Sequence, residues 1–217
     1  MTAEHLQQGL ILYLILAGSV ALHEFGHAKA ADMLGDPLPR SQGRVTLNPF
    51  AHMDPIGTVA IPLIMILLSP AISIIGWGKP VQISLPDPRT RVRDEILITL
   101  AGPGMNFVIA LTTAIIAGVI MRFRIMNPPE WAEQIIGLNS LLIAFNFIPL
   151  PPLDGSRIMR HIVGMSEEMF RRLMMITPIV LLILINTSAF QGFLDRATVW
   201  VAHPFIACMY ALAGRAF

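Results

Sequence analysis

Long apolar runs constrain this chain more than any other feature. They cover Leu6–Leu34, Ile56–Trp77, Ile96–Met121, Ile135–Leu150 and Leu173–Ala189, with a weaker one at Ala197–Ala213. A bilayer-crossing helix needs roughly 20 mostly apolar residues, so several runs reach or approach spanning length. Composition agrees, with 54% hydrophobic and 13% charged residues against about 25% charged in a soluble domain. Disorder is excluded, and an ordinary soluble enzyme would have nowhere to bury so much apolar surface. Fifteen Lys+Arg against 14 Asp+Glu give a net charge of +1, which argues against nucleic acid as a partner. The single cysteine, Cys208, rules out an internal disulfide framework and a cysteine-based metal cluster. The first run lacks a basic start and carries ionisable residues, so it does not read as a removable signal peptide. The expected fold class is an all-α polytopic membrane protein forming one domain over residues 1–217, with about five transmembrane helices.

Two further elements are expected beside those helices. Arg44–Leu47 and Val81–Leu85 alternate polar and apolar residues, the period of a strand, and Gly43, Pro49, Pro80 and Pro86 punctuate them. They predict a small β element, paired at the membrane surface. Between them lies Ile56–Trp77, interrupted by Pro62 and Pro70, which either spans or re-enters. Basic residues collect on the cytoplasmic side, and they decide between the two. Under re-entry only Arg122, Arg124 and Arg196 of the fifteen basic residues fall on the opposite side. A full span gives a weaker split of nine against six. The expectation is therefore re-entry, an outside N-terminus and a site toward the cytoplasmic side.

Ionisable groups within a membrane segment are costly and point to function. His23 and His27 stand four apart, so on a helix both imidazoles share a face and can hold one metal ion. Glu24 lies beside that face, placed to take a proton from an activated water. Neutral imidazoles with an open position suit catalytic zinc, and one ion per chain is expected. A third ligand must come from elsewhere, since residues 28–50 contain no other His or Glu. Asp32 and Asp36 read as surface residues. Asp54 precedes Pro55, the pattern of a helix cap followed by proline at the first helical position. Asp154 follows the helix-stopping Pro149-Leu150-Pro151-Pro152 and precedes Gly155, and it is the predicted third ligand. With a helix starting near residue 8, His23 lies about 22 Å along it. Asp154 reaches that side of the membrane only if Ile56–Trp77 re-enters.

Taken together, His23-Glu24-x-x-His27 and Asn146-x-x-Pro149-x-x-x-x-Asp154-Gly155 resemble the paired signatures of the site-2 protease family. The resemblance runs from about Leu6 to Arg160. It implies an intramembrane zinc metalloprotease with two His and one Asp on zinc and Glu24 as general base. Gly102-Pro103-Gly104-Met105-Asn106 resembles the Gly/Asn element of an intervening family helix. About a dozen residues separate Met121 from Glu133, too few for an inserted peptide-binding domain, and no nucleotide-sensing module is expected. The expectation is a minimal member in a prokaryotic cell membrane, cleaving membrane-anchored proteins.

Lesser candidates complete the reading. Asn106 and Asn146 are expected to hydrogen-bond substrate or hold the ligand loop, with helix joining as the alternative. His52 reads either as a contact to the site from its loop or as a surface histidine. His161 and His203 read as structural, Gly9, Gly18 and Gly118 as close helix contacts, and the 13 methionines as adaptable packing. A zinc-handling transporter or an inactive scaffold is the competing class, and a soluble protease with an amphipathic anchor is more distant.

Overall fold

Helix α1, Ala3–Met33, is the 31-residue product of the first apolar run. It rises about 46 Å at 1.5 Å per residue and stops at Gly35, whose φ of +88° suits a residue without a Cβ. The computed structural model describes residues 3–68, 76–125 and 130–215. The chain divides into two compact units, Met1–Asp94 and Glu95–Phe217.

In the first unit, a short helix α2, Leu38–Ser41, follows α1. A 3-10 turn at Pro49–Ala51 leads to a π turn at Pro55–Ala60 and then helix α3, Ile61–Leu68. The expected cap is present: Asp54 Oδ1 accepts from the N–H groups of Ile56 (3.0 Å) and Gly57 (2.7 Å). Gly9 lets α3 approach α1, since a Cβ there would stand 3.0 Å from Ile66 Cγ2. At Gly18 a Cβ would meet nothing within 4 Å among the described residues, so among them it makes no close helix contact. The turn that re-entry of Ile56–Trp77 requires lies outside the described residues.

The expected β element takes another form. Among the described residues there is no strand, only an isolated antiparallel bridge between Met53 and Gly78. Arg44–Leu47 and Val81–Leu85 do not pair as a ladder. The cause lies in where their donors go. The N–H of Val81 is taken by Glu24, and those of Ser84 and Leu85 by Asp36. Arg44 is 3% exposed, so its side chain points inward.

Helix α4, Arg91–Arg122, runs 32 residues with Pro103 inside it. The second unit continues with α5 (Glu130–Asn146), α6 (Asp154–Ile162), α7 (Glu167–Leu184) and α8 (Ser188–Leu212). Its core is made largely of small residues: Ala110, Ala114, Ala117, Ala132 and Ala202, closed by Ile136, Phe205 and Met209. Small side chains let helix backbones come close. At Gly118 a Cβ would lie 2.7 Å from the Met209 carbonyl oxygen, so α4 and α8 nearly touch there.

By length and composition, two described helices can cross a membrane, α1 through Leu6–Met33 and α4, or three if the pair α7–α8, bent by 91°, counts as one span. Five spans were expected. The difference arises because not every apolar run folds into one helix of spanning length. The run Ile135–Leu150 becomes a 17-residue helix, α5, only about 26 Å long. The last two runs meet at a sharp break around Ile185–Thr187, where Thr187 caps α8.

Candidate active site

The site begins on α1, where the i, i+4 spacing brings two imidazoles together. His23 Nε2 and His27 Nε2 stand 3.1 Å apart, their rings nearly perpendicular at 85°. Both residues are buried. Two nitrogens bound at about 2.05 Å in tetrahedral geometry stand roughly 3.3 Å apart. The observed convergence fits a shared ion of that size, with imidazole donors appropriate to zinc.

Glu24 is half-buried beside them, and its Oε2 accepts from the Val81 N–H at 3.2 Å. The chain crossing it needs glycine. A Cβ on Gly78 would fall 3.0 Å from Glu24 Cγ and 2.8 Å from Val20 Cγ1. Several bonds hold this crossing segment. The Lys79 N–H donates to the His52 carbonyl at 2.8 Å, and the Trp77 N–H to that of Gly57 at 3.2 Å. The Arg44 guanidinium donates to the carbonyls of Ala51 and Lys79, tying both walls together. At its far end, buried Asp36 accepts from Ser84 N–H (2.6 Å), Ser84 Oγ–H (2.5 Å), Leu85 N–H (3.1 Å) and Leu38 N–H (3.0 Å).

These polar groups feel their burial. Burial pushes the Arg44 guanidinium down, and the Glu24 charge only partly restores it. Burial also lowers His52, reinforced by the Arg44 charge and opposed by the bond to Thr46 and by Glu24. For Asp36, burial raises the carboxyl, but the Ser84, Leu38 and Leu85 donors outweigh it and hold it below the usual range. His52 itself is 1% exposed, with Nε2 at 2.9 Å from the Thr46 carbonyl oxygen. It is a buried loop residue, not a surface histidine.

In the second unit, Asp154 is the first residue of α6, after Leu153 in extended conformation. Gly155 seats this turn against the backbone of the preceding loop. A Cβ there would lie 2.7 Å from the Phe147 carbonyl carbon and 2.8 Å from the Ile148 oxygen. The Asn146 amide donates to Leu142 O within α5, at 2.9 Å. Asn106 is fully buried and donates to Asn139 Oδ1 at 2.9 Å, joining α4 to α5.

A Bacillus subtilis (strain 168) protein named "Putative zinc metalloprotease YwhC" is 30% identical over 159 residues, covering 70% of this chain and 68% of that one. The chain belongs to the YwhC family of zinc metalloproteases. Two relatives named "Putative zinc metalloprotease Rip2" also match. That of Mycolicibacterium smegmatis (strain ATCC 700084 / mc(2)155) is 30% identical over 154 residues, 67% of this chain and 55% of its own. That of Mycobacterium tuberculosis (strain ATCC 25618 / H37Rv) is 25% identical over 206 residues, 92% and 77% respectively. No family model and no solved structure matches the chain.

For a zinc metalloprotease, the structure adds residues that sequence reasoning passed over. Asp36, read as a surface residue, is 2% exposed and anchors the segment over Glu24. Arg44, expected in a strand and among the sorted basic residues, is 3% exposed. His161, for which no partner was evident, lies 3.0 Å from Glu95. Only the turn signal Asp36-Pro37, and the rarity of a charge flanked by apolar runs, could have flagged any of them.

Proposed function

We propose that this chain is an intramembrane zinc metalloprotease of the site-2 type, binding one zinc ion through His23, His27 and Asp154. The observation that carries the reading is the convergence of the two Nε2 atoms at 3.1 Å beside Glu24, on a helix long and apolar enough to cross a membrane. Bound zinc supplies a Lewis acid that polarises the scissile carbonyl and acidifies water. Glu24 accepts the proton of the attacking water at a carboxylate oxygen and then delivers it to the leaving amine. The Val81 N–H holds one of its two carboxylate oxygens, Oε2. A substrate helix hides its peptide bonds in internal hydrogen bonds, so it unwinds locally before cleavage. The substrates are single-pass or otherwise membrane-anchored proteins. The N-terminus lies outside a prokaryotic cell membrane and the site toward the cytoplasm, following the sorted basic residues.

The test is Glu24→Gln in the full chain, with zinc content and cleavage of a membrane-anchored substrate measured together. Zinc is retained and the rate falls by roughly 10²–10⁴, the usual contribution of a general base. Wild-type cleavage by a zinc-loaded variant would sink the proposal. Zinc flux into liposomes containing the wild-type protein would favour a transporter instead.

A further inference from the structure

Helix α6 carries Asp154, Arg157 and His161 at i, i+3 and i+7, a spacing that lies along one helix face. Glu95, near the start of α4 and 5% exposed, meets the last two. Its Oε2 lies 3.0 Å from His161 Nε2, and its Oε1 lies 3.5 Å from Arg157 Nη1. A carboxylate only accepts, so the imidazole donates. Each oxygen is thus engaged by a different turn of the same helix. The other end of α6 is also held. Gly155 rests on the Phe147–Ile148 backbone, Ser156 Oγ donates to Leu153 O at 2.6 Å, and Leu153 is buried with Ile148 and Leu181.

A buried ion pair is weak support for stability, because desolvation offsets the attraction. What it supplies is direction. Rotating α6 by one residue, about 100°, breaks both contacts to Glu95.

We propose that Glu95 is a positioning residue for Asp154, fixing the rotation of α6 so that the carboxylate on its first residue is held in one orientation as a zinc ligand. This rests on the reading of Asp154 as the third ligand. Partners that orient a ligand typically change metal affinity by about 10–100-fold when removed.

Zinc affinity, measured on the full chain in detergent by competition with a chelator, tests it, with thermal melting recorded in parallel. Asp154→Ala removes tight binding. Glu95→Ala weakens binding about 10–100-fold when Asp154 is present and adds nothing when Asp154 is already Ala. Glu95→Gln weakens it less, since its amide oxygen still accepts from His161. Arg157→Met, on the more exposed arm, weakens it a few-fold and decides the matter alongside Glu95→Gln should Glu95→Ala fail to fold. Wild-type zinc affinity in Glu95→Ala, or in Arg157→Met and Glu95→Gln together, overturns the inference while the site stands. Equal weakening in both Asp154 backgrounds overturns it too, as mere destabilisation. Wild-type affinity in Asp154→Ala instead overturns the ligand assignment on which it rests.

Discussion

The two units solve opposite problems. The second is held by what it lacks: alanines and a glycine where α4, α5 and α8 meet, with Asn106–Asn139 as a polar tie between α4 and α5. The first is held by what it buries. His23, His27, Asp36, Arg44 and His52 are all 9% exposed or less, and short irregular turns surround them. Close packing of regular helices holds shape with small apolar contacts. Chemistry needs polar groups, and those need donors and acceptors that a regular helix has already used internally. The irregular backbone at residues 44–54 and 76–85 supplies them. In this chain the irregular backbone gathers beside the regular helix that carries His23, Glu24 and His27.

If that contrast is correct, the first unit should fail by losing polar contacts and the second by gaining volume. The largest effect is expected at Asp36, whose carboxylate accepts four hydrogen bonds. Asp36→Ala should destabilise by about 3 kcal/mol, since bonds to charged groups contribute roughly 1.5–3 kcal/mol. A thermal melt in detergent measures it, and a change below about 1 kcal/mol would break the contrast. Gly118→Ala comes next, at about 2 kcal/mol, because the added methyl meets the Met209 backbone rather than a flexible side-chain end. An unchanged melting temperature there would mean that the close approach of α4 and α8 is not limiting. Asn139→Ala should lose only about 1 kcal/mol, as hydrogen bonds between membrane helices are individually modest. A loss as large as that at Asp36 would place the second unit with the first.

The smallest effect is a dependence on pH. Burial holds His52 below its ordinary value. The unfolded chain therefore takes up a proton first as pH falls through about 6.5. The stability contributed by neutral His52 is present above that pH and declines below it. Wild type should lose more melting temperature between pH 7 and pH 5 than His52→Gln, which keeps a donor for Thr46 O. Parallel curves would show that His52 is protonated at no cost.

What was legible in the sequence was local. The i, i+4 histidines, the Asp54 cap and the helical run of α1 all depend on residues within one or two turns of each other, where spacing dictates geometry. What was missed depends on partners far along the chain. Asp36 is explained by Ser84, 48 residues on, and His161 by Glu95, 66 residues back. Nothing in the local composition distinguishes such a carboxylate from a solvated one. The strand expectation for Val81–Leu85 failed for the same reason. Its alternation survives as alternating exposure, but distant carboxylates took the donors that a ladder would have used. Asp154 was located from its prolines and glycine, and the structure shows what these do: they end α5, turn the chain and seat α6 on the preceding backbone.

The bond from the Val81 N–H to Glu24 has a further consequence. The contact on the proposed base comes from the main chain, so it is indifferent to which side chain position 81 bears. Nineteen of the twenty residue types keep that donor, and only proline lacks it. The side chain at position 81 can therefore change in polarity or bulk while the hold on the carboxylate persists. A scan of position 81 would register this as a flat profile with one deep notch at proline.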